Sequence, residues 1–269
     1  MGKVFNALQK HKQGKLQGAN RVVRRDITLP LSQSPIAEGV PIHNVANPKL
    51  FVLAAPESID AENFKVLRSQ ILYPKHGRKP RTIIITSAFP GEGKTFVAAN
   101  LAASIAMGIN EQVLLVDCDF RRPNLHNMFG CSNIQGLYEY LTAKRTLPEL
   151  ILPTEMEKLH LLTAGKPGPD GAELLSSTKM KAFLEEVKAR HNETYVIVDA
   201  APSHVTAEVG VLSNHVDGIV YIVMAERAPK ETIQKSIEDL GKDKILGIVF
   251  NGYAQSYRTY HKYYGEYYG

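Results

Sequence analysis

Three short segments of this sequence carry residue types that could bind and transfer phosphate. The first is PGEGKT, which stands between a β-branched segment and an Ala-rich one. Gly91 and Gly93 allow the backbone to turn N–H groups towards phosphate oxygens, while Lys94 adds a positive charge. Thr95 offers a hydroxyl ligand to Mg²⁺. This context predicts a phosphate-binding loop that opens a helix, and a glycine turn without a ligand is the structural alternative.

The other two segments place carboxylates at the ends of apolar runs. LLVDCDFRRP contains Asp117, Asp119 and Arg121, and YVIVD ends in Asp199. Apolar strands rarely carry carboxylates without a use for them, and ligands of parallel sheets bind at the carboxyl ends of the strands. We therefore expect the three aspartates to face Mg²⁺ and the γ-phosphate of a nucleotide. The alternatives are a turn cap for Asp119, a purely structural Asp199 and a surface position for Arg121.

These residues need a framework of strands that alternate with helices. Helical periodicity covers 56–73, where Ser58 or Asp60 is the expected cap, as well as 96–107 and 173–190. The alternation predicts an α/β fold of the P-loop type, with a doubly wound, mostly parallel sheet and helices on both faces. Short apolar runs typical of buried strands lie at 81–87, 112–117, 158–164, 195–199, 218–224 and 245–250.

Composition limits the domain count and the compartment. The chain has 269 residues, 44% of them hydrophobic, which suits one α/β domain, predicted at 51–252, behind a flexible arm at 1–50. The net charge of +5 could serve nucleic acid, anionic lipid or solubility, so it decides nothing alone. Cys118 and Cys131 form no metal or disulfide pattern, and no window has the roughly 20 apolar residues of a membrane span. A cytoplasmic protein is expected.

The C-terminal segment 253–269 is dense in phenols. Its glycines and interleaved charges predict a disordered tail that leaves the rings accessible to a phosphate donor. Stacking on nucleic acid or self-association is the alternative, although basic residues are sparse there. The tail holds seven of the 12 tyrosines of the chain: Tyr253, Tyr257, Tyr260, Tyr263, Tyr264, Tyr267 and Tyr268.

Together these features resemble the bacterial tyrosine kinases of capsule and exopolysaccharide synthesis, in their soluble type, which are related to the chromosome-partitioning ATPases. The resemblance covers the chain from about Pro56 to its end and rests on PGEGKT, LLVDCDFR, VIVDAAP and the tyrosine tail. It implies that ATP is held by the whole loop, including Glu92 and Phe96, and that Asn251 in FNGY lies near the adenine. It also implies that Mg²⁺ is held by Thr95, Asp117 and Asp199.

The chain departs from the family pattern at several positions. Ala88 replaces the first loop glycine, and two alanines follow Asp199 where the family more often has a hydroxyl residue and proline. Glu62, Lys65 and Arg68 resemble a family element that mediates ring-shaped self-association, but Lys65 stands where an arginine is usual. An ordinary charged helix face is the alternative for these three residues.

We expect an ATP-dependent autokinase that phosphorylates its own tail and regulates polysaccharide synthesis and export. Lys94 would stabilise the transferred charge, with Arg121 beside it, and Asp117 would polarise or deprotonate the phenol. The resemblance implies a membrane adaptor as activator, a homo-oligomer, a cognate tyrosine phosphatase, no nucleic acid, and a peripheral place at the inner face of the cell membrane. Two rivals are a partitioning-type ATPase switch and a nucleotide-binding scaffold without catalysis.

Overall fold

The computed structural model describes residues 47–75, 77–190 and 194–252. Packing begins ahead of the predicted domain start at 51, because Leu50 is buried and Asn47 Nδ2 donates a hydrogen bond to Met128 O at 3.0 Å. The rest of the predicted arm and the predicted tail, with its seven tyrosines, lie outside the described residues. No helix within the described ranges is long and apolar enough to cross a membrane.

The sheet has the predicted doubly wound, mostly parallel form. Seven strands lie in the order β3-β4-β2-β5-β1-β6-β7, and only the pair β3–β4 is antiparallel. All six predicted strands are present, whereas β3 has only two residues and therefore no periodic signal. The strands are β1 Thr82–Ser87, β2 Gln112–Asp117, β3 Leu152–Pro153, β4 Leu159–Leu162, β5 Thr194–Asp199, β6 Gly218–Met224 and β7 Ile245–Asn251.

Helices cover both faces of the sheet, as predicted. One apolar core packs the first four helices against one face, and a second core packs the remaining helices against the other. The helices are α1 Phe51–Ala54, α2 Ile59–Leu72, α3 Lys94–Ala106, α4 Leu125–Phe129, α5 Leu137–Leu141, α6 Leu147–Leu150, α7 Gly171–Leu175, α8 Thr178–Arg190, α9 Glu208–Ser213 and α10 Lys230–Leu240, followed by a 3₁₀ turn at Lys242–Lys244.

The stretch 173–190, which reads as one helix in the sequence, is two helices in the structure. Ser177 Oγ donates a hydrogen bond to Leu174 O at 2.7 Å and accepts one from Met180 N at 3.2 Å. A serine hydroxyl that bonds the local backbone competes with helix continuation, and this one ends α7 and caps α8. The break sets the angle between the loop before α7 and the long helix α8.

Helix α2 begins where the sequence predicted, with Ser58 as its cap. Ser58 Oγ accepts a hydrogen bond from Ala61 N at 3.1 Å. On the same helix, Lys65 Nζ pairs with Glu62 Oε2 at 3.0 Å, and Arg68 Nη1 donates to Ser104 O at 2.8 Å on α3. Arg68 is therefore engaged within the domain, whereas the other two members of the expected self-association element form a pair on the helix surface.

Candidate functional site

The predicted phosphate loop connects β1 to α3 at the carboxyl edge of the sheet. Gly91 and Gly93 have φ angles of 78° and 92°, in the left-handed region that favours glycine. Helix α3 then begins at Lys94, and no acidic residue lies in its first turn. Ala88 is buried and does not have a left-handed backbone, so its replacement of glycine carries no conformational strain. The loop presents the positive end of a 13-residue helix.

Hydrogen bonds from three side chains hold this loop in shape: those of Glu92, Asn251 and Arg227. Glu92 is fully buried, and its carboxylate accepts hydrogen bonds from Phe89 N at 2.6 Å and Met224 N at 3.3 Å. Asn251 Nδ2 donates to Glu92 O at 2.9 Å, and Arg227 Nη1 donates to Gly91 O at 3.1 Å. The side chains of Glu92 and Asn251 therefore make their hydrogen bonds within the protein and support the loop.

Arg227 is a cation at the loop that the sequence analysis missed. It follows β6, which neighbours β1 in the sheet, and its guanidinium lies close to Gly91. A polar residue at or shortly after the end of a predicted strand is the pattern that indicated the aspartates, and Arg227 shows the same pattern. Residues that follow parallel strands lie at the same edge of the sheet. Without the order of the strands, nothing in the sequence ranks this arginine above others.

Phe96 was expected among the nucleotide-binding residues, but its ring packs into the core. It meets Phe51 and Phe64 edge to face, with ring centroids 5.7 and 5.8 Å apart. Such aromatic pairs stabilise packing, and here they hold α1 and α2 against the start of α3. The ring of Phe96 is only partly buried by these contacts, and its expected place beside the nucleotide stays a prediction.

The aspartates of the second and third motifs are neighbours across the sheet. Asp117 and Asp199 pair in register at the ends of β2 and β5, and both are fully buried. Asp117 Oδ2 accepts hydrogen bonds from Asn124 N and Leu125 N at 3.0 and 3.1 Å, and Oδ1 accepts one from Asp119 N at 3.1 Å. Burial and the charge of Asp199 raise the pKa of Asp117 well above its usual range.

Asp199 is the less satisfied of the two carboxylates. Within the described ranges, neither of its oxygens makes a hydrogen bond of ordinary geometry, although both are buried. Burial raises its pKa to about 7, while the nearby Thr95 hydroxyl and Lys94 ammonium lower it and Asp119 raises it further. A buried acceptor without a donor is costly, and in native proteins it usually marks a site for an ion or a reaction.

Asp119 and Arg121 make local contacts beside this pair. Asp119 Oδ1 accepts a hydrogen bond from Arg122 N at 3.0 Å, which is the turn-capping geometry named above as an alternative. Arg121 donates from Nε and Nη2 to Glu208 Oε1 at 3.3 and 3.1 Å, and most of its side chain is exposed. Glu208 is a second residue that the sequence analysis missed, because it lies 87 positions further along the chain.

The residues at this edge fit a magnesium nucleotide. The turns at Gly91 and Gly93 and the start of α3 form a phosphate cradle, since a Cβ at Gly93 would lie 2.0 Å from Asn251 Nδ2. The uncompensated oxygens of Asp199, beside Thr95, form the donor set that Mg²⁺ prefers. Mg²⁺ usually keeps several waters and shares phosphate ligands, so it does not need a closed protein cage.

Comparisons with known proteins agree with this geometry. Residues 83–268 match the CobQ/CobB/MinD/ParA nucleotide binding domain. The Tyrosine-protein kinase YwqD of Bacillus subtilis is 34% identical over 218 residues, which is 80% of this chain and 91% of YwqD. The Succinoglycan biosynthesis transport protein ExoP of Rhizobium meliloti is 33% identical over 74% of this chain and 26% of ExoP.

A solved structure gives the same assignment. The crystal structure of the chimerical protein CapA2B2 aligns with a TM-score of 0.72 and 32% sequence identity, and it covers 77% of this chain and 91% of that one. The region 83–268 that the family model matches includes the phosphate loop, all three aspartates and every strand, except for Thr82 at the start of β1. The chain therefore belongs to the CobQ/CobB/MinD/ParA family of nucleotide-binding domains, within its branch of bacterial tyrosine-protein kinases.

Proposed function

We propose that this chain transfers the γ-phosphoryl group of ATP to tyrosines of its own C-terminal segment. In the reaction the tyrosine oxygen forms a bond to the γ-phosphorus and the bond from that phosphorus to the β,γ-bridging oxygen breaks. The products are ADP, a phosphotyrosine and the phenolic proton. Through this modification the protein regulates the synthesis and export of a capsular or extracellular polysaccharide.

The observation that carries this proposal is that the donor site and the end of β7, after which the tyrosine-rich sequence follows, lie at one edge of the sheet. The phosphate loop, Asp117 and Asp199 all lie at the carboxyl ends of parallel strands. Strand β7 runs parallel to β6 and ends at the same edge, so the chain leaves Gly252 towards its tyrosines beside the loop. A partitioning-type switch uses the same donor site, but it has no need of seven tyrosines at that point.

Each residue of the site has a role that follows from its position. The N–H groups of Gly91, Gly93 and the start of α3 bind the phosphates, and Lys94 balances charge on the phosphoryl group as it transfers. Thr95 and Asp199 hold Mg²⁺. The metal, when bound, neutralises phosphate charge and orients the triphosphate for in-line attack.

Asp117 is the proposed proton acceptor for the phenol. Three backbone N–H groups fix its carboxylate, which offers about four acceptor positions in all, so one position remains. Burial and the charge of Asp199 raise its pKa, and a raised pKa makes a carboxylate a stronger base than one in water. A free phenol titrates near pH 10, so the phenol needs a nearby carboxylate or metal at neutral pH. Asp119 adds negative charge near the metal, and Arg121 can reach the phosphates when it leaves Glu208.

The partners follow from the family branch. A membrane adaptor would bring the protein to the inner face of the cell membrane and activate it, and a cognate tyrosine phosphatase would reset the tail. The chain matches only the kinase-like quarter of the longer relative ExoP, which supports a separate partner for the remaining part. We also propose self-association through Glu62 and Lys65. Arg68 holds α2 against α3 in this arrangement, since the Arg68 guanidinium already donates a hydrogen bond to Ser104 O.

Phosphotyrosine mass spectrometry on the purified chain with Mg-ATP tests the proposal. We expect phosphate on the tyrosines between 253 and 268, and its loss in Lys94→Ala. Lys235→Ala is the matched control, because it removes an exposed lysine from α10 that has no role in the proposed binding or self-association. A fragment of a candidate adaptor is added if the chain alone is inactive.

The same experiment separates the rival functions. ATP hydrolysis without phosphotyrosine, with or without the adaptor fragment, would replace the kinase by a partitioning-type ATPase. Nucleotide binding without any turnover would leave a scaffold that acts through its tail.

A further inference from the structure

A second concave site lies beside the aspartates and shares Arg121 with the phosphoryl site. It is a cavity of about 260 Å³ between the ends of β2 and β5, the loop before α7, and the start of α9. Its volume is just below the range of about 300–1,000 Å³ that drug-sized ligands occupy, so it suits a single large side chain. Its walls include Phe120, Pro167, Pro169, Ala172, Val209 and Leu212.

The cavity also has one polar feature that is not satisfied. Glu208 lines it and is 8% exposed, and its Oε1 is bound by Arg121. Its Oε2 is buried and has no hydrogen-bond partner within the described ranges. Burial raises the pKa of Glu208, but its own backbone N–H, Arg121 and the Thr206 hydroxyl lower it further, and the hydrogen bond of ordinary geometry from that hydroxyl goes to Pro202 O at 3.2 Å. A cavity that combines an aromatic ring, two prolines and aliphatic side chains with a buried carboxylate oxygen fits a ligand that combines a ring with a single donor.

The cavity and the phosphoryl site share two loops. Cys118 and Phe120 line the cavity, and they alternate along the chain with Asp117 and Asp119 of the phosphoryl site. Likewise Ala200 lines the cavity and directly follows Asp199. A ligand in the cavity is therefore held close to the phosphoryl site without occupying it.

The C-terminal segment is long enough to reach this cavity. The described chain ends at Gly252, after β7, and β5 and β2 lie three and four strand positions from β7 in the sheet. At about 4.8 Å per position, the distance is roughly 14–19 Å. Residues 253–269 span at most about 56 Å when extended. Tyr253 follows Gly252 too closely to reach, whereas the tyrosines from Tyr257 onwards are within range.

We propose that this cavity binds the side chain of one unmodified tail tyrosine as an anchor, while a neighbouring tyrosine receives the phosphoryl group. The ring of the anchor lies against Phe120 and the two prolines, and its hydroxyl donates to Glu208 Oε2. Phosphorylation of the neighbouring tyrosine rests on the proposed function, whereas binding of the anchor tyrosine does not depend on it.

Two features of the tail sequence suit this arrangement. Successive residues of an extended segment point to opposite sides, so the adjacent pairs Tyr263–Tyr264 and Tyr267–Tyr268 can present one ring to the cavity and one to the phosphate. A phosphotyrosine has lost the phenolic hydroxyl that donates to Glu208 Oε2, and its nearly two negative charges meet both that carboxylate and the Arg121 guanidinium, which also lines the cavity. The anchor is therefore the unmodified side chain, and the reaction slows as the tail fills with phosphate.

A binding experiment tests the anchor independently of catalysis. The full chain with serine at the seven tail tyrosine positions is titrated with a fluorescein-labelled peptide of residues 257–268, and anisotropy is recorded. Ala172→Phe fills the cavity and should weaken binding at least tenfold. Ala182→Phe, an equal enlargement on the exposed side of α8, should leave binding unchanged. Equal affinity in both variants would overturn the proposal.

A second variant tests the polar contact without a change of volume. Glu208→Gln should weaken the tyrosine peptide severalfold and leave unchanged a peptide with phenylalanine at each tyrosine, because only the tyrosine peptide uses the carboxylate. Equal losses for both peptides would mean that the substitution disturbs the cavity rather than a hydroxyl contact, and would contradict the anchor.

Tail phosphorylation in the chain with its natural tail distinguishes this proposal from the proposed function. Ala172→Phe should slow it at least tenfold with no change in the affinity for a fluorescent ATP analogue. If the natural chain forms no phosphotyrosine but the peptide still binds through the cavity, the kinase proposal fails and the anchor stands. If phosphorylation proceeds equally in both enlarged variants, the kinase stands and the anchor fails.

Discussion

Asp199→Asn should stabilise the protein when metal and nucleotide are absent. The folded state raises the pKa of Asp199 from 3.8 to about 7, mainly through burial. At 1.36 kcal/mol per unit, keeping this carboxylate ionised at pH 8 costs about 4 kcal/mol. An asparagine removes that cost but leaves a buried amide without partners, at about 1–3 kcal/mol. The net gain is about 1–3 kcal/mol, or roughly 5 °C in Tm.

The free energy of unfolding depends on pH in a definite direction, because the pKa of Asp199 is raised in the folded state. The contribution of Asp199 to stability is fully present below pH 3.8, the unfolded value, and is lost as pH rises to about 7. The variant should therefore be about 1–3 kcal/mol less stable than the natural chain at pH 4 and about 1–3 kcal/mol more stable at pH 8. Mg-ATP should reverse the order, since only the natural chain retains the carboxylate for the metal.

Urea unfolding followed by circular dichroism, in EDTA at several pH values, measures this difference. Asp60→Asn, at an exposed position, is the control and should change the free energy of unfolding by less than about 0.5 kcal/mol at every pH. A loss of stability in Asp199→Asn at pH 8 without metal would refute the reasoning. It would mean that the Asp199 carboxylate is already compensated in the folded protein.

Three further predictions concern the loop and its supports. Gly93→Ala should abolish binding of a fluorescent ATP analogue, because the new Cβ would lie 2.0 Å from Asn251 Nδ2 at a left-handed φ; unchanged affinity would contradict the loop geometry. Asp217→Asn should lower stability by about 1 kcal/mol at pH 7 and by progressively less as pH falls below 3.8. Burial raises the pKa of Asp217, but Lys188 and backbone N–H groups lower it further, so its contribution is lost as pH falls through the folded value; a loss that does not change with pH in urea titrations would argue against it. Phe96→Ala should lower the free energy of unfolding by about 2–4 kcal/mol, and a calorimetric change below 1 kcal/mol would show that its ring contacts add little.

Local sequence patterns were sufficient for the elements and for the phosphate loop. At 82–106 the β-branched run favours a strand, the glycines permit the left-handed turns of the loop, and the Ala-rich run favours a helix, so these patterns predict strand, loop and helix without tertiary information. The same holds for Ser58, whose side chain caps the helix three residues away. The break at Ser177 was not predicted, because a serine is compatible with either a helix interior or a cap, and only the packing of α7 and α8 selects the cap.

The sequence by itself thus determined which residues could bind phosphate and metal and that they would follow parallel strands. The tertiary structure decided which of them meet. The order of the strands inserts β5, distant in sequence, between β1 and β2, and this makes Asp117 and Asp199 neighbours and raises the pKa of both. It also brings Arg227 to the loop and Glu208 to the cavity. Strand order depends on contacts between residues many positions apart, whereas periodicity and turn residues report only on their immediate neighbours along the chain.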